Sequence, residues 1–599
     1  MRKTNPRQAS NTRGRQSNGL RPQRKSPQQT NQRRGRQTAQ HGTPKLRIIP
    51  LGGLEEVGKN MTIFEYGNDI VILDMGLQFP EEDMHGIDYI IPNISYLKGK
   101  EKNIRAVIFS HGHLDHIGAA PILLEKLGYP PIAGRPLTIA LIRHRQEDYQ
   151  KGSSKLLKPI TVNSIKNTFS FGVFRVSFFQ IEHSIMDAVG VILQTPTATI
   201  IHPGDWTLEK DTTGNPTIDY SFLSRLKRPT VLMLESLGAI DIRQSATEYQ
   251  MKQNLEKLIR EAPGRVIIGT FASQIERVGW IVSVAEKLGK KVALDGYSMK
   301  MNMEIAKKLG YIKAKRDTFI KIDNISSFPD TKLVIIATGA QGEGNAVLSR
   351  IITDQHRHVH LKKVDTVVLS SSIIPGNENT IQRLKDNLYR KCDNVIHGQV
   401  MDIHVSGHGN RDDIAYVLKK IKPDYFVPVY AYHYMLKEAA TLARNIGFNR
   451  NNILVLDNGQ IAEFSRNGGR ATDERVEADN VFVDGLGIGD VGNVVLKDRQ
   501  VMAEDGMVVA IAKVDKKYKV VGNPDLITRG FIHIKTSDKL MAAMRQVVKK
   551  TVEKRLAKDR PKSGDDWGMV KGAIKEDLTK FLLKETQRKP MVLPVVLRV

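Results

Sequence analysis

The sequence has one cysteine, Cys392, in 599 residues. A single thiol cannot form an internal disulfide bond, and it excludes a zinc finger built on cysteine ligands. A low cysteine content is also typical of proteins in a reducing compartment, so we predict a cytoplasmic location. The chain also lacks an uninterrupted apolar run of about 18 residues, which a transmembrane helix would need. The polar, basic N-terminus has no apolar segment of the kind found in a secretory signal peptide, and we expect no membrane partner.

Acidic residues are absent from the first 50 positions, which hold 13 Lys and Arg. The net charge of the whole chain is +26, so half of the excess lies in this short stretch. Residues 1–44 also have almost no large apolar side chains, and such a segment cannot bury enough surface to offset its ordering entropy. We therefore predict a disordered basic tail over residues 1–44. Its charge favours a polyanionic partner such as RNA, DNA or an anionic membrane, and a purely solubilising tail is the alternative.

The whole chain is 40% hydrophobic, and its length of 599 residues suggests about three to five domains. Strand patterns with short turns predict a layered α/β unit over residues 45–240. Strands that alternate with helices between 241 and 395 predict a parallel sheet with crossover helices. The earlier pattern returns over 396–462, with a strand at 403–405, so one unit is inserted into another. A linker region at 463–510, centred on polar residues 464–475, leads to a C-terminal α/β domain at 511–599.

The densest group of potential metal ligands directly follows an apolar strand at 104–110. It contains His111, His113, Asp115 and His116 within six residues. Histidine nitrogen and carboxylate oxygen are suitable ligands for Zn²⁺. One loop supplies too few ligands for two metals, so further ligands must come from elsewhere in the chain. His183 and Asp205 each lie just past another predicted strand end, where a site on one edge of a sheet would need them.

These residues, preceded by Asp74 after a strand at 71–73, resemble the metallo-beta-lactamase superfamily in their order and spacing. Further motifs resemble the beta-CASP nucleases within that superfamily, and specifically the ribonuclease J family. They lie at 50–58, 79–82, 270–273, 338–343, 370–378, 405–408, 484–492 and 589–599. The resemblance covers about residues 45–599. It implies an αββα sandwich with an inserted beta-CASP α/β domain and a small C-terminal α/β domain.

The resemblance also implies two Zn²⁺ ions. The first would be held by His111, His113, His183 and Asp205. The second would be held by Asp115 and His116, with Asp205 bridging the two. Asp74 would orient a ligand histidine through the other nitrogen of its ring.

The same resemblance implies catalytic roles for Glu235, His408 and Asp115. His408 would transfer a proton to the leaving oxygen, which is general acid catalysis. His404, Val405, Ser406, Gly407 and His408 would form a pocket for a nucleotide phosphate. Asp484 resembles a position that binds a structural divalent cation in some relatives, and an ordinary turn aspartate is the alternative.

The chain departs from the family pattern at Tyr430, where a further metal-ligating histidine is expected. A neutral phenol is a poor Zn²⁺ ligand because its pKa is near 10. Three readings remain open. His433 could act as the substitute ligand, or three protein ligands could hold the second metal with water or substrate. Alternatively, the second site could be weak and the activity low.

The resemblance implies a zinc-dependent ribonuclease that hydrolyses RNA phosphodiester bonds. It implies 5′-to-3′ exonuclease action with a preference for a 5′ monophosphate, and it allows endonuclease cleavage. It also implies a homodimer or homotetramer that works in RNA decay and maturation, together with other RNA-decay proteins. Two rivals remain: a metallo-hydrolase of small esters, and a catalytically weak RNA-binding partner of an active paralogue.

Overall fold

The computed structural model describes residues 44–81, 83–242, 247–343, 345–374, 376–532, 537–558 and 567–599. The predicted basic tail lies outside these residues except for Pro44. None of the helices in the described ranges combines the length and apolar composition needed to cross a bilayer.

The described residues form strands and helices along the whole of this range. The strands are β1 (Leu46–Gly52), β2 (Met61–Tyr66), β3 (Asp69–Leu73), β4 (Tyr89–Ile91), β5 (Ile104–Ile108), β6 (Ile132–Gly134), β7 (Pro159–Thr161), β8 (Thr168–Phe171), β9 (Phe174–Gln180), β10 (Val189–Gln194), β11 (Thr199–His202), β12 (Thr230–Glu235), β13 (Val266–Gly269), β14 (Lys291–Asp295), β15 (Phe319–Ile320), β16 (Leu333–Ala337), β17 (Thr366–Leu369), β18 (Asn394–Ile396), β19 (Tyr425–Val429), β20 (Gln460–Ser465), β21 (Gly468–Arg475), β22 (Val481–Asp484), β23 (Gly487–Ile488), β24 (Met507–Val514), β25 (Asp525–Arg529) and β26 (Met591–Arg598). The α-helices are α1 (Leu114–Ile117), α2 (Ala120–Lys126), α3 (Pro136–Tyr149), α4 (Glu248–Glu261), α5 (Ile275–Lys287), α6 (Tyr297–Lys308), α7 (Val347–Ile352), α8 (Glu378–Tyr389), α9 (Arg411–Ile421), α10 (His433–Asn445), α11 (Asn493–Asp505), α12 (Asp538–Lys558) and α13 (Gly568–Thr586).

Two large sheets pack face to face and form the sandwich. The first has the strand order β21-β20-β1-β2-β3-β5-β6-β7, and the second has the order β19-β12-β11-β10-β9-β8. Side chains such as Phe64 and Val71 from the first sheet share one buried core with Val191 and Val231 from the second. The outer face of the first sheet packs on α2 and α3, and the outer face of the second packs on α9 and α10. The predicted αββα layering is therefore confirmed.

The insert lies between two neighbouring strands of the second sheet. β12 and β19 pair in parallel, with Val231 opposite Tyr425, although nearly 200 residues separate them in sequence. Within that interval, β13 to β18 form a separate sheet in the order β15-β14-β16-β13-β17-β18, and all of its pairings are parallel. The predicted parallel sheet with crossover helices is confirmed.

The predicted strand at 403–405 is wrong, because this segment is irregular. Side chains, and not a neighbouring strand, donate hydrogen bonds to backbone carbonyl groups in and next to this segment. Asn254 Nδ2 donates to the carbonyl oxygen of Asp402 at 2.9 Å, and Ser370 Oγ donates to that of Ile403 at 2.7 Å.

The linker predicted at 463–510 is also wrong, since most of this stretch has regular structure. β20 and β21 form a hairpin around Arg466 and Asn467, and β20 pairs with β1 of the first sheet. β22 pairs with β4, and α11 follows. The segment is polar because β21 is an edge strand that leaves many of its residues exposed, which is why its composition resembles that of a loop.

The C-terminal part is a three-stranded sheet with the order β25-β24-β26. Alternate residues of β24 are fully buried against α12 and α13. This agrees with the predicted small α/β domain.

Candidate active site

The candidate ligands lie where strands from both sheets end at the same edge of the sandwich. β11, β12 and β19 run parallel, so Asp205, Glu235 and Tyr430 come together just after or at their carboxyl ends. In the first sheet β3 and β5 are also parallel, and Asp74 and the loop that starts at Ser110 follow them. The sheet topology thus brings together residues that are far apart in the sequence.

Four of these residues form the first cluster of potential metal ligands: His111, His113, His183 and Asp205. One ligand atom from each lies within 4.8 Å of the others. His113 Nδ1 is 3.1 Å from His111 Nε2 and 3.0 Å from His183 Nε2. Asp205 Oδ2 is 3.9 Å from His111 Nε2 and 3.8 Å from His183 Nε2.

A second cluster shares Asp205 with the first. His116 Nε2 lies 3.2 Å from Asp205 Oδ1 and 3.4 Å from Asp115 Oδ2. The two oxygens of Asp205 therefore face different clusters, which is the arrangement required of a bridging carboxylate. The structure brings together all six residues that the sequence predicted for the two metals.

Polar contacts behind the clusters orient the histidine rings. Asp74 Oδ2 lies 2.8 Å from His116 Nδ1 and also accepts a hydrogen bond from Ser110 Oγ at 2.8 Å. His183 Nδ1 donates to the carbonyl oxygen of Gly407 at 2.7 Å. When the ring is neutral, each contact places its proton on Nδ1 and leaves Nε2 with a lone pair directed into its cluster. The predicted orienting role of Asp74 therefore has a geometric basis.

The electrostatics of the site suit a divalent cation. Burial, together with the neighbouring histidines, lowers the pKa of His111 well below its usual value. Burial likewise lowers the pKa of His113 to about 4 and that of His183 to about 3, so these rings are neutral ligands at physiological pH. Burial alone would lower the pKa of His116, but the carboxylates of Asp205, Asp115 and Asp74 raise it well above its usual value. Where carboxylates hold a proton this tightly, a metal cation can replace it. The donor set therefore fits a divalent metal.

Glu235 and His408 lie beside the ligand clusters. His408 Nδ1 is 3.6 Å from Glu235 Oε2 and 4.0 Å from Asp205 Oδ2. Burial would lower the pKa of His408, but the Glu235 carboxylate raises it to about 9. The imidazole is consequently protonated at neutral pH and can act as a proton donor.

The segment from His404 to His408 lies between the insert and α9, and it contacts His183 of the sandwich. A side chain would not fit at Gly407, because an added Cβ would lie 2.7 Å from Ser184 Oγ and 3.1 Å from His183 Cε1. Ser406 Oγ accepts a hydrogen bond from the backbone N–H of His408 at 3.1 Å, and Val405 packs against the large core. These contacts fix His408 next to His183.

His404 lies deeper, against Arg277 of α5. Arg277 Nη1 donates to His404 Nδ1 at 2.6 Å, so the remaining proton of that imidazole is on Nε2. Neither His404 Nε2 nor Arg277 Nε has a hydrogen-bond partner among the described residues, although both atoms are buried. Two unpaired donors at one place are suited to an anion such as a phosphate.

Tyr430 occupies the position at which the sequence suggested a missing ligand. Its ring centroid lies 5.4 Å from that of His116 and 5.1 Å from that of His202. Its hydroxyl is buried, and no residue in the described ranges forms a hydrogen bond with it. Burial, with the nearby carboxylates of Asp74, Asp205 and Asp115, raises its pKa well above the usual value. The phenol stays protonated and is therefore a poor metal ligand.

Two weaker candidates lie outside the clusters. His433 faces Glu55 and Asp457 at the surface and does not join Asp115, His116 and Asp205. The carboxylate of Asp484 forms an ion pair with Arg499 at 2.5 Å, and it belongs to none of the ligand clusters found among the described residues.

The sequence did not point to Asn60, Arg277 or His202. Asn60 is buried beside the second cluster, where its Nδ2 lies 2.9 Å from His116 Nε2 and 3.3 Å from Asp115 Oδ2. Arg277 contacts His404, and His202 packs on Tyr430. Only His202 carried a signal, since it ends a strand directly before the turn that leads to Asp205.

Comparison with known proteins shows which family the chain resembles. Residues 54–239 match the metallo-beta-lactamase superfamily, 263–388 match the beta-CASP domain of ribonuclease J, and 494–599 match the ribonuclease J C-terminal domain. The chain is 34% identical over 560 residues to ribonuclease J2 of Bacillus subtilis, covering 93% of this chain and 99% of that protein. It is 37% identical over 558 residues to ribonuclease J 1 of Streptococcus pyogenes, covering 92% of this chain and 98% of that protein. The chain therefore belongs to the ribonuclease J family.

Proposed function

We propose that this protein is a zinc-dependent ribonuclease that hydrolyses RNA phosphodiester bonds. The observation that carries the proposal is Asp205, whose two carboxylate oxygens face the two ligand clusters separately. A carboxylate that can bridge two metals is typical of centres that hydrolyse phosphate esters. The proposed ions are two Zn²⁺ per chain, because imidazole and carboxylate ligands suit that metal.

When bound, the metals supply Lewis acidity and allow water to attack phosphorus as hydroxide at neutral pH. The residues of the chain supply the rest of the chemistry. His408 gives a proton to the oxygen that leaves phosphorus as the P–O bond breaks. Glu235 keeps His408 protonated through its charge at 3.6 Å. Asp74 holds the ring of His116 in the orientation that directs Nε2 toward Asp115 and Asp205.

The unpaired donors of His404 and Arg277 support recognition of a nucleotide phosphate. These two donors can bind the phosphate at the 5′ end while the next phosphodiester bond lies at the metal centre. That placement favours 5′-to-3′ exonuclease action with a preference for a 5′ monophosphate. Endonuclease cleavage is proposed as a second mode on the same centre.

The charge of the N-terminal segment supports RNA as the polymer, because 13 basic residues without an acid attract a polyanion. We place the protein in the cytoplasm, in RNA decay and maturation together with other RNA-decay proteins. A homodimer or homotetramer is proposed through the C-terminal sheet. The face of that sheet opposite α12 and α13 exposes Ile527, Leu593 and Leu597, each more than 40% accessible.

The test uses the purified full chain with single-stranded RNA that carries either a 5′ monophosphate or a 5′ triphosphate. The expected result is release of mononucleotides from the 5′ end, with faster turnover of the monophosphate substrate. His111→Ala should abolish cleavage, and His397→Ala, outside the ligand clusters, should not. Cleavage that survives His111→Ala would overturn the proposal.

A second candidate function is a catalytically weak RNA-binding partner of an active paralogue. It is favoured by Tyr430, whose buried, protonated hydroxyl leaves the second cluster without a fourth ligand. Under this candidate the purified chain binds RNA tightly while its slow cleavage is not affected by His111→Ala. Addition of the paralogue would restore cleavage. A small-ester hydrolase, in contrast, would turn over aryl or thiol esters and leave RNA intact.

A further inference from the structure

Three residues with metal-binding side chains meet on the surface away from the catalytic clusters: Glu55, His433 and Asp457. One ligand atom from each lies within 4.8 Å of the others. His433 Nδ1 is 3.6 Å from Asp457 Oδ1 and 4.0 Å from Glu55 Oε1. These separations are slightly larger than the distances between neighbouring ligands around one bound ion, so small side-chain rotations would complete a site.

The three residues lie in three separate segments that the backbone already holds together: the loop after β1, the first turn of α10 and the loop before β20. Leu54 forms an isolated β-bridge with Ala431, which joins the loop of Glu55 to the segment that leads to His433. The backbone N–H of Leu54 donates to Asn458 Oδ1 at 3.1 Å, and Asn458 Nδ2 donates to the carbonyl oxygen of Leu54. The positions of the three ligands are therefore set by contacts that do not involve the ligands themselves.

Of the two carboxylates of this cluster, that of Asp457 has an arginine partner, which is Arg475. Arg475 Nη2 pairs with Asp457 Oδ2 at 2.6 Å, which leaves Asp457 Oδ1 directed toward His433. This hydrogen bond from Arg475 lowers the pKa of Asp457, so the carboxylate is ionised at neutral pH. Glu55 contributes a second carboxylate within the same 4.8 Å, with no lysine or arginine paired to it among the described residues.

A cavity of about 370 Å³ adjoins the cluster and adds negative charge. Glu55 lines it together with Glu56, Glu477 and Asp479. Lys59 Nζ lies 3.3 Å from Glu56 Oε1 and offsets only that carboxylate. The lining of the cavity therefore carries four carboxylates and one lysine.

We propose that Glu55, His433 and Asp457 bind a divalent transition-metal ion, with Zn²⁺ as the first choice, at a surface site separate from the catalytic centre. One imidazole and two carboxylates are suitable ligands for Zn²⁺, and water would complete the coordination. Arg475 orients Asp457 as an outer hydrogen-bond partner commonly orients a ligating carboxylate. This inference goes beyond the proposed function and does not depend on it.

A bound ion would also affect the catalytic ligand clusters, through the segment that runs from Tyr430 to His433. His433 is the first residue of α10, three positions after Tyr430, whose ring packs on His116. By linking His433 to the loops of Glu55 and Asp457, the ion would hold in place the segment that positions Tyr430.

The test counts zinc bound per full-length chain after saturation with ZnCl₂ and dialysis, by plasma mass spectrometry. His433→Asn and Glu55→Gln should each bind about one zinc fewer than the wild type. The exposed His85 lies outside the ligand clusters, so His85→Asn is the matched control and should keep the wild-type count. Both test residues are partly exposed, and circular dichroism would verify that the variants are folded.

A second comparison separates this site from the catalytic centre. In a chain that already carries His111→Ala, adding His433→Asn should still remove about one further zinc. An unchanged zinc count in His433→Asn and Glu55→Gln would overturn the proposal. A loss that disappears in the His111→Ala background would also overturn it, because His433 would then belong to the catalytic site. Neither result depends on RNA cleavage, so failure here is distinguishable from failure of the proposed function.

Discussion

The imidazole Nδ1 of His408 lies 3.6 Å from Oε2 of Glu235, and the two residues reach this contact from opposite ends of the insert. Glu235 is the last residue of β12, where the chain leaves the sandwich. His408 precedes α9, where the chain returns. The pair therefore joins the two ends of the insert at the proposed general acid.

Glu235→Gln should move the basic limb of the pH–rate profile to lower pH. The carboxylate stabilises the protonated form of His408 and raises its pKa to about 9. Removing that charge lowers the pKa by about one to three units. Since the protonated imidazole is the active form, activity near pH 8 should fall first and activity near pH 6 should fall least. The measurement is kcat between pH 5 and 10, with the exposed Glu304→Gln as control, and a basic limb that stays in place would exclude His408 as the acid.

Asp74→Asn should lower metal affinity by about 10- to 100-fold, the usual effect of losing a partner that orients a metal ligand. The carboxylate accepts the Nδ1 proton of His116 at 2.8 Å. An amide can instead donate to Nδ1, which moves the ring proton to Nε2 and blocks the lone pair directed at the metal. Asparagine tolerates the positive φ of 61° at this position, so the backbone should be preserved. Zinc titration by calorimetry measures the effect, with Asp386→Asn on the surface of α8 as control. Equal affinities would show that Asp74 does not set the tautomer.

Tyr430→Phe should retain zinc and stabilise the protein by about 1 kcal/mol, because it removes a buried hydroxyl that has no partner among the described residues. Tyr430→His should instead raise the occupancy of the second metal, since it supplies a neutral imidazole beside Asp115 and His116. Zinc content and thermal unfolding distinguish the two effects. Loss of zinc in Tyr430→Phe would mean that the phenol is a ligand after all.

Arg277→Gln should raise KM for RNA with a 5′ monophosphate by about 10-fold or more, with a much smaller change in kcat. A hydrogen bond to a charged group contributes about 1.5–3 kcal/mol, and Arg277 has one unpaired buried donor beside His404. The KM for RNA with a 5′ triphosphate should change less, so the preference for the 5′ monophosphate over the 5′ triphosphate should become smaller. Arg260→Gln on the exposed face of α4 is the control. An unchanged KM would place the 5′ phosphate elsewhere.

Deletion of residues 2–44 should weaken RNA binding at moderate salt and leave turnover at saturating RNA nearly unchanged. The segment carries 11 of the 13 basic residues found in positions 1–50. Fewer phosphate contacts mean fewer released counterions, so the slope of log affinity against log salt should also become shallower. Filter binding from 50 to 300 mM KCl measures the slope. A collapse of saturated turnover would instead give the segment a catalytic role.

The candidate metal ligands could be read from the sequence because they follow strands whose apolar composition marks them clearly. His111, His113, Asp115 and His116 lie within six residues that start just after β5 and run into α1, and His183 and Asp205 follow strands of the same sandwich. The layered fold was equally readable, since the hydrophobic periodicity of strands and helices is local. The hairpin of β20 and β21 was misjudged as a linker because β21 is an edge strand that buries none of its residues fully and lacks that periodicity.

What the sequence by itself determined, therefore, is the set of chemical groups and the order of elements that carry them. Only the tertiary structure decided which groups meet. Parallel pairing of β12 with β19 brings Tyr430 to the edge where Asp205 and Glu235 lie, although nearly 200 residues separate the two strands. Packing directs His433 away from that edge to Glu55 and Asp457. It also places Asn60 beside the candidate ligands and Arg277 beside His404, although no local pattern distinguishes either residue. Distances between side chains depend on how sheets pack and where a helix starts, and these are properties of the folded chain as a whole.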